Sequence, residues 1–205
     1  MHSNMFRWQP MTNQANTVRI VAGDLRSRKI SFPANAAIRP TGGRIRETLF
    51  NWLQSRTYNS VCLDLFAGSG ALGIEALSRG ADEVMFIEKE SSIASALSSN
   101  LELLNVTNGH VIHDDALSWI KTHNSAKPFD IVFLDPPFAS NLLVESCELL
   151  ERSDMLSSQC RIYIEVGQSI SEIKLPTNWN LVKGKQAGHI SVSYTHLRAH
   201  ETEAD

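Results

Sequence analysis

Several things are scarce in this chain, and each scarcity removes a class of answer. Only three cysteines occur among 205 residues (Cys62, Cys147 and Cys160). They are odd in number and widely spaced and form no C-x-x-C pair, which argues against a disulfide framework and a zinc site. Two of them lie in apolar segments, where a free thiol behaves as a small hydrophobe. No apolar run approaches the ~18 residues of a membrane-spanning helix, and the first residues, Met1-His-Ser-Asn-Met-Phe-Arg7, contain no signal-peptide core. The expectation is a soluble cytoplasmic protein with no membrane partner and no metal; a monomer is the default. Internal repeats and low-complexity tracts are also missing, while 42% hydrophobic content supports a proper core.

Acidic residues are scarce in one region only. Residues 1–56 hold nine Lys/Arg against two Asp/Glu, a net of +7, and the remainder has a net of −10. A basic arm on an acidic body is an electrostatic footprint for nucleic acid. A solvated, partly disordered extension is the plainer alternative.

Residues 1–16 are polar and aperiodic and are expected to be disordered, with Met5 an alternative start. Residues 17–56 form a basic extension. Val18-Arg-Ile-Val-Ala22, then Gly23-Asp24, then Arg28-Lys-Ile-Ser-Phe32 predicts a β-hairpin. Arg39-Pro40-Thr41 is extended, because a residue before proline avoids the helical region. Ile45, Leu49, Trp52 and Leu53 recur at helical spacing from Arg44 to Gln54, with Thr41 as the expected N-cap. From 57 to 192 strand and helix alternate. Strands are predicted near 61–65, 83–87, 109–113, 130–134 and 160–166, and helices near 70–79, 91–104, 115–122 and 140–151. That rhythm implies a parallel sheet covered on both faces. Two further strands near 179–183 and 188–192 would form an antiparallel edge and bring the sheet to seven. Val192-Ser-Tyr-Thr-His-Leu-Arg-Ala-His-Glu-Thr202 resembles the translation of a sequencing adapter, so 193–205 is expected to be a non-native tail. On that reading the metal-like spacing of His196 and His200 carries no meaning.

Two segments carry the chemistry. Asp64-Leu-Phe-Ala-Gly-Ser-Gly70 follows the apolar run Val61-Cys-Leu63, and Asp135-Pro-Pro-Phe138 follows Ile131-Val-Phe-Leu134. A glycine loop after the first strand of an α/β sheet binds a nucleotide-like cofactor. Gly68-Ser-Gly70-Ala-Leu-Gly73 also fits the dinucleotide spacing, so the glycines alone do not choose a cofactor. Glu88, ending the second strand, is placed to accept bonds from both ribose hydroxyls. Asp115, after the third strand, is either an adenine contact or the N-cap of the next helix. At the fourth strand, the Asp135 carboxylate and Pro136 carbonyl are suited to accept hydrogen bonds from both protons of an exocyclic amine. Pro136 and Pro137 fix the turn, and Phe138 offers a stacking ring.

Asp64-x-x-x-Gly-x-Gly resembles the first motif of class I S-adenosylmethionine (SAM) methyltransferases. The likeness to one family within them is broader. Arg19-Ile-Val-Ala-Gly23, Arg39-Pro-Thr41, Arg44-Ile-Arg-Glu-Thr-Leu-Phe-Asn-Trp-Leu53, the segment Leu65 to Arg79 and Val132-Phe-Leu-Asp-Pro-Pro-Phe138 together resemble the RsmD family of bacterial 16S rRNA guanine-N2 methyltransferases. The resemblance implies a Rossmann-like fold, SAM as methyl donor and 16S rRNA, or the assembling small subunit, as partner. It implies catalytic Asp135, Pro136, Pro137 and Phe138, and a cofactor site of Asp64, Phe66, Ala67, Gly68, Ser69, Gly70, Glu88 and Asp115. Arg19, Arg26, Arg28, Lys29, Arg39, Arg44 and Arg46 are the expected RNA contacts. One departure stands out: Gly42-Gly43 precedes Arg44 where the family pattern has an acid at 43. Adenine-N6 or glutamine methyltransferases, a non-catalytic RNA-binding assembly factor and a NAD-dependent oxidoreductase are the competing readings.

Overall fold

A computed structural model describes residues 15–34, 38, 40–123, 126–137, 141–167, 169–187 and 190–197. The expectations for residues 1–14, Arg39, Phe138 and the last eight residues lie outside them. The chain runs β1 (Asn16–Arg19), β2 (Lys29–Phe32), α1 (Gly43–Trp52), β3 (Val61–Asp64), α2 (Ala71–Ser78), β4 (Glu83–Glu88), α3 (Ser91–Leu103) and β5 (Gly109–His113). It continues with α4 (Ala116–Thr122), β6 (Phe129–Leu134), α5 (Leu142–Glu151), β7 (Leu156–Val166), β8 (Trp179–Ala187) and β9 (Ile190–Leu197).

Seven strands make one sheet in the order β5-β4-β3-β6-β7-β9-β8, and β1-β2 is a separate antiparallel hairpin. Strands β3 to β7 are parallel, and β9 pairs antiparallel with β7 and β8. The fold is thus α/β, with a mostly parallel seven-stranded sheet and an N-terminal hairpin and helix. Strand β9 continues through Leu197, so residues 193–197 of the adapter-like stretch pair with β7 and β8.

The apolar runs that predicted buried strands alternate between two cores, as a period of two requires. Cys62, Ile131, Phe133 and Tyr163 face one side, against α1, α2, α3 and the hairpin residues Ile20 and Ile30. Leu63, Val132, Leu134, Ile162 and Ile164 face the other, against α4 and α5. The extension therefore shares the sheet's core instead of building its own. Polar anchors fix its position: the Asn100 amide bonds both Ser31 N (3.0 Å) and Ser31 O (2.8 Å), and Leu25 N donates to Ser78 Oγ (2.9 Å).

From β3 the chain builds outward through β4 and β5, then crosses back to β6 on the other flank. Strand order reverses between β3 and β6, and ligands of such sheets bind in the crevice beyond the strand ends there.

Candidate active site

The carboxyl ends of β3, β4, β5 and β6 supply the site. After β3 the loop is pinned across its neighbours, with Leu65 N donating to Phe133 O (3.2 Å) and Ala67 N to Ile87 O (3.0 Å). Gly70 then turns into α2 with φ 74°, where a Cβ would sit 2.3 Å from Leu97 Cδ1. Left-handed backbone and close approach both demand glycine. At Gly73 the reason is packing: a Cβ would lie 2.2 Å from the Phe86 ring.

These ends enclose a cleft of about 520 Å³, a size that takes a nucleoside-like ligand. Every expected cofactor residue except Gly70 lines it, as do Asp135, Pro136 and Pro137. Both oxygens of Glu88 are fixed by backbone amides, Oε2 by Gly68 N (2.8 Å) and Oε1 by Glu90 N (2.7 Å). Each carboxylate oxygen keeps a second lone pair, so the pair is oriented to accept from a vicinal diol. Asp64 is buried and accepts from Gly73 N at 3.0 Å. Burial, reinforced by the Glu88 charge, pushes its carboxyl up to about 7. Asp115 Oδ1 caps α4 through Leu117 N and Ser118 N, both 3.2 Å, and Lys89 Nζ lies 3.3 Å from Oδ2. The amide bonds, from Ser118 above all, hold its carboxyl below the ordinary value.

The charge of the lining discriminates between cofactors. Among the described residues, Asp64, Glu88, Glu90, Asp114, Asp115 and Asp135 border the cleft against the single cation Lys89. Asp64 and Asp135, whose carboxyls are raised, add least to this field, but a pyrophosphate would still meet the acids Glu88, Glu90, Asp114 and Asp115, whereas a sulfonium and an ammonium would be attracted. The residues present fit SAM and disfavour a dinucleotide.

Asp135 is partly exposed, with Pro136 buried behind it. Thr41 Oγ1 lies 3.2 Å from Asp135 Oδ2 and 3.0 Å from Glu165 Oε2, and the Tyr163 hydroxyl donates to the same Glu165 oxygen at 2.8 Å. Burial first, then the Glu165 charge, hold the Asp135 carboxyl well above the usual carboxylate range. Thr41 is thus not the N-cap of α1: Gly42 is, with no side-chain cap, because the Thr41 hydroxyl is turned into the site. Glu165 and Tyr163 escaped the sequence reading. An acid closing an apolar strand, as Glu88 does, was the available signal.

The arginines divide sharply. Arg46 is 3% exposed, donates to Thr41 O (3.2 Å) and Arg19 O (2.8 Å), and pairs with Glu75 at 3.2 Å. It ties the extension to α2 and, although it reaches the floor of the second cleft, its guanidinium is committed to Glu75 and two carbonyls, so its role is structural where an RNA contact was expected. Arg19, Arg26, Arg28, Lys29 and Arg44 are exposed. Arg19, Arg26 and Arg44 border a second cleft of about 840 Å³ beneath the hairpin and α1. The two clefts share Ile38, Pro40 and Thr41 as lining. Among the described residues no cluster of His, Cys, Asp and Glu could hold a metal, and no helix is long and apolar enough to cross a membrane.

The family described as conserved hypothetical protein 95 matches residues 18–196. A protein of Haemophilus influenzae named ribosomal RNA small subunit methyltransferase D is 41% identical over 181 residues, covering 87% of this chain and 93% of that one. One of the same name from Escherichia coli K12 is 38% identical over 198 residues, covering 96% and 99%. The solved structure of the putative methyltransferase yhhF from Escherichia coli is similar with a TM-score of 0.83 and 39% identity, covering 90% of this chain and all (100%) of that one.

Proposed function

We propose, on the premise that this chain belongs to the RsmD family (conserved hypothetical protein 95), that it transfers a methyl group from SAM to the exocyclic 2-amino group of a guanine in 16S rRNA. It acts as a cytoplasmic monomer during assembly of the small ribosomal subunit. The observation that carries this reading is the Asp135-Pro136 turn set at the edge of an acidic cleft that suits a cationic nucleoside.

When bound, SAM supplies an electrophilic methyl on a positively charged sulfur. Everything else falls to the chain. Glu88, locked by two amides, would receive the ribose hydroxyls, and residues Phe66–Ser69 of the same cleft would hold the rest of the cofactor. The guanine amine is a poor nucleophile because its lone pair is delocalised into the ring. Asp135 and the Pro136 carbonyl would each accept a hydrogen bond from one of its two N–H groups, so that the nitrogen can pyramidalise with its lone pair towards the methyl donor. Such alignment in a water-poor cleft supplies the rate, since the displacement needs no covalent intermediate. Phe138, the ring expected to stack on the base, lies outside the described residues. Reaching Asp135 requires the base to leave its helix or loop. The cleft beneath the hairpin, edged by Arg19, Arg26 and Arg44, leads to the site past Pro40 and Thr41 and holds the phosphates.

The test is tritiated methyl transfer from SAM to small-subunit particles that lack the modification, followed by nucleoside analysis. Label in 2-methylguanosine is expected; label confined to adenosine, or none while SAM binds, would refute the assignment.

A further inference from the structure

The two clefts that meet at Thr41 carry opposite charge. Glu88, Glu90, Asp114 and Asp115 border the first against Lys89, whereas Arg19, Arg26, Arg44 and Arg46 border the second against Glu47 among the described residues. Arg46 is committed to Glu75, and Arg19 donates to Ser27 O at 3.2 Å. Arg26 and Arg44 are exposed, and their side chains make no hydrogen bond or ion pair among the described residues. A nucleic-acid backbone is repelled by the first lining and attracted by the second. It therefore runs along the second cleft, while a neutral base crosses the wall of Ile38, Pro40 and Thr41 that the two clefts share. That wall is thin: Thr41 Oγ1 lies 3.2 Å from Asp135 Oδ2. A nucleotide joined to the target by one phosphodiester has to lie just beyond it.

Exposed arginines would suffice for phosphates, but the second cleft offers more than charge. Val18, Val21, Ile38 and Pro40 form a half-buried apolar floor over the buried Ile20 and Phe32. Beside them the backbone of Gly42 and Gly43 is bare. A Cβ would meet nothing within 4 Å at Gly42 and Val21 Cγ2 at 4.0 Å at Gly43. Ile38 also leans on the cofactor loop, its Cγ2 3.5 Å from where a Cβ on Gly68 would sit. An apolar floor next to bare backbone, rimmed by cations, suits a flat heteroaromatic ring carried on a phosphodiester.

We propose that the second cleft seats the base adjacent to the target guanine; this role rests on the methyl-transfer reading above. The target amine meets Asp135 on one side of the wall, and the neighbouring base lies against Val18, Val21 and Ile38 on the other. The linking phosphate stays at the arginine rim. The acceptor is then a single-stranded segment with two adjacent bases unstacked, not one base extruded from a continuous helix. A loop or free strand has already given up most of that stacking, whereas a helix would lose it twice.

The experiment titrates the full chain, with S-adenosylhomocysteine present, with the trinucleotide ApGpA. Two further probes keep every ribose and phosphate but lack one adenine base or the other. Charge is equal in all three, so a difference in Kd reports a base alone. Carbon-13 methyl spectra of valine and isoleucine, assigned by single substitutions, are recorded at each point. Removing one of the two adenines should weaken binding about fivefold or more, and the same adenine should be needed to shift the Val18, Val21 and Ile38 signals. Which adenine matters tells on which side of the target the seat lies. Gly43→Leu fills the space over the bare backbone and should bring the ratio of those Kd values close to one; if it does not fold, the wild-type methyl shifts carry the test. Equal affinities for the three probes, or methyl shifts that need neither adenine, would overturn the proposal and leave the cleft a phosphate track or a protein-docking surface. Methyl transfer to small-subunit particles is measured alongside. Label in 2-methylguanosine with equal probe affinities refutes the seat and leaves the transfer reading standing. A base-dependent gain at the seat with no methylation refutes the transfer reading and leaves the seat.

Discussion

Glu75 and Asp135 are both carboxylates at the junction of extension and sheet, and their surroundings are opposite. Glu75 is fully buried and ringed by donors: Val21 N and Ala22 N at 2.9 and 3.0 Å, Arg46 at 3.2 Å and Arg79 at 3.0 Å. Asp135 is partly exposed, has the Thr41 hydroxyl beside it, and faces the carboxylates of Glu165 and Asp64. Among the described residues the fold rings one acid with donors and gives the other only the Thr41 hydroxyl. A compensated acid holds structure together; an uncompensated one has a high proton affinity to use, and strongly shifted acids in a cleft mark function.

The comparison breaks most visibly at Glu75. Glu75→Gln leaves Arg46 and Arg79 enclosed without their counter-charge, a loss of about 3–5 kcal/mol. Urea denaturation should show it, while SAM binding by the folded fraction stays intact. A variant of native stability that no longer bound SAM would reverse the roles assigned to the two acids.

Asp64 sharpens the contrast through pH. Its folded-state carboxyl is raised to about 7, so between the ordinary carboxylate range and 7 the folded protein keeps a proton that the unfolded chain has released. The stability tied to neutral Asp64 is complete at low pH and is lost as pH rises towards 7. Asp64→Asn cannot lose it, so its stability should gain on wild type by about 1.4 kcal/mol per pH unit over that window. Parallel stability–pH curves would show that Asp64 belongs with Glu75.

The same division runs through the cations. Arg46 and Arg79 are committed to Glu75, whereas Arg26, Arg28 and Arg44 form no ion pair among the described residues. Replacing Arg26 and Arg28 by alanine should weaken RNA binding and flatten the dependence of log affinity on log salt by about 1.5. An unchanged slope would take both residues out of the RNA contact.

The smallest effect is expected at the start of α1. Gly43 opens the helix with no acid in the first turn, and a Cβ there meets only Val21 Cγ2 at 4.0 Å. Gly43→Asp should therefore stabilise the protein by about 1 kcal/mol, from backbone entropy and the helix dipole. A lower melting temperature would point to strain that the backbone does not reveal.

Much of this was legible in the residue order. The sheet strands follow from apolar runs bounded by turns, and Asp64, Glu88 and Asp135 from their positions at strand ends. What escaped depends on distance along the chain. Nothing local distinguishes Thr41 as a cap from Thr41 as a partner of Glu165, 124 residues away. Arg44 and Arg46 look alike in a basic arm, yet Arg46 lies three and four residues before the buried Leu49 and Phe50, which puts it on the inner face of α1. Glu75 is hidden for the same reason, in a helix buried on every side. Its need for cations marks it only once Arg46 and Arg79 are seen beside it.

The most direct test of the central claim is the single-turnover rate of methyl transfer by Asp135→Asn on small-subunit particles at saturating SAM. The account predicts a fall of at least about a hundredfold with SAM affinity preserved and no loss of folding stability. A rate within a few-fold of wild type would contradict it, because the uncompensated carboxylate would then have no part in the chemistry.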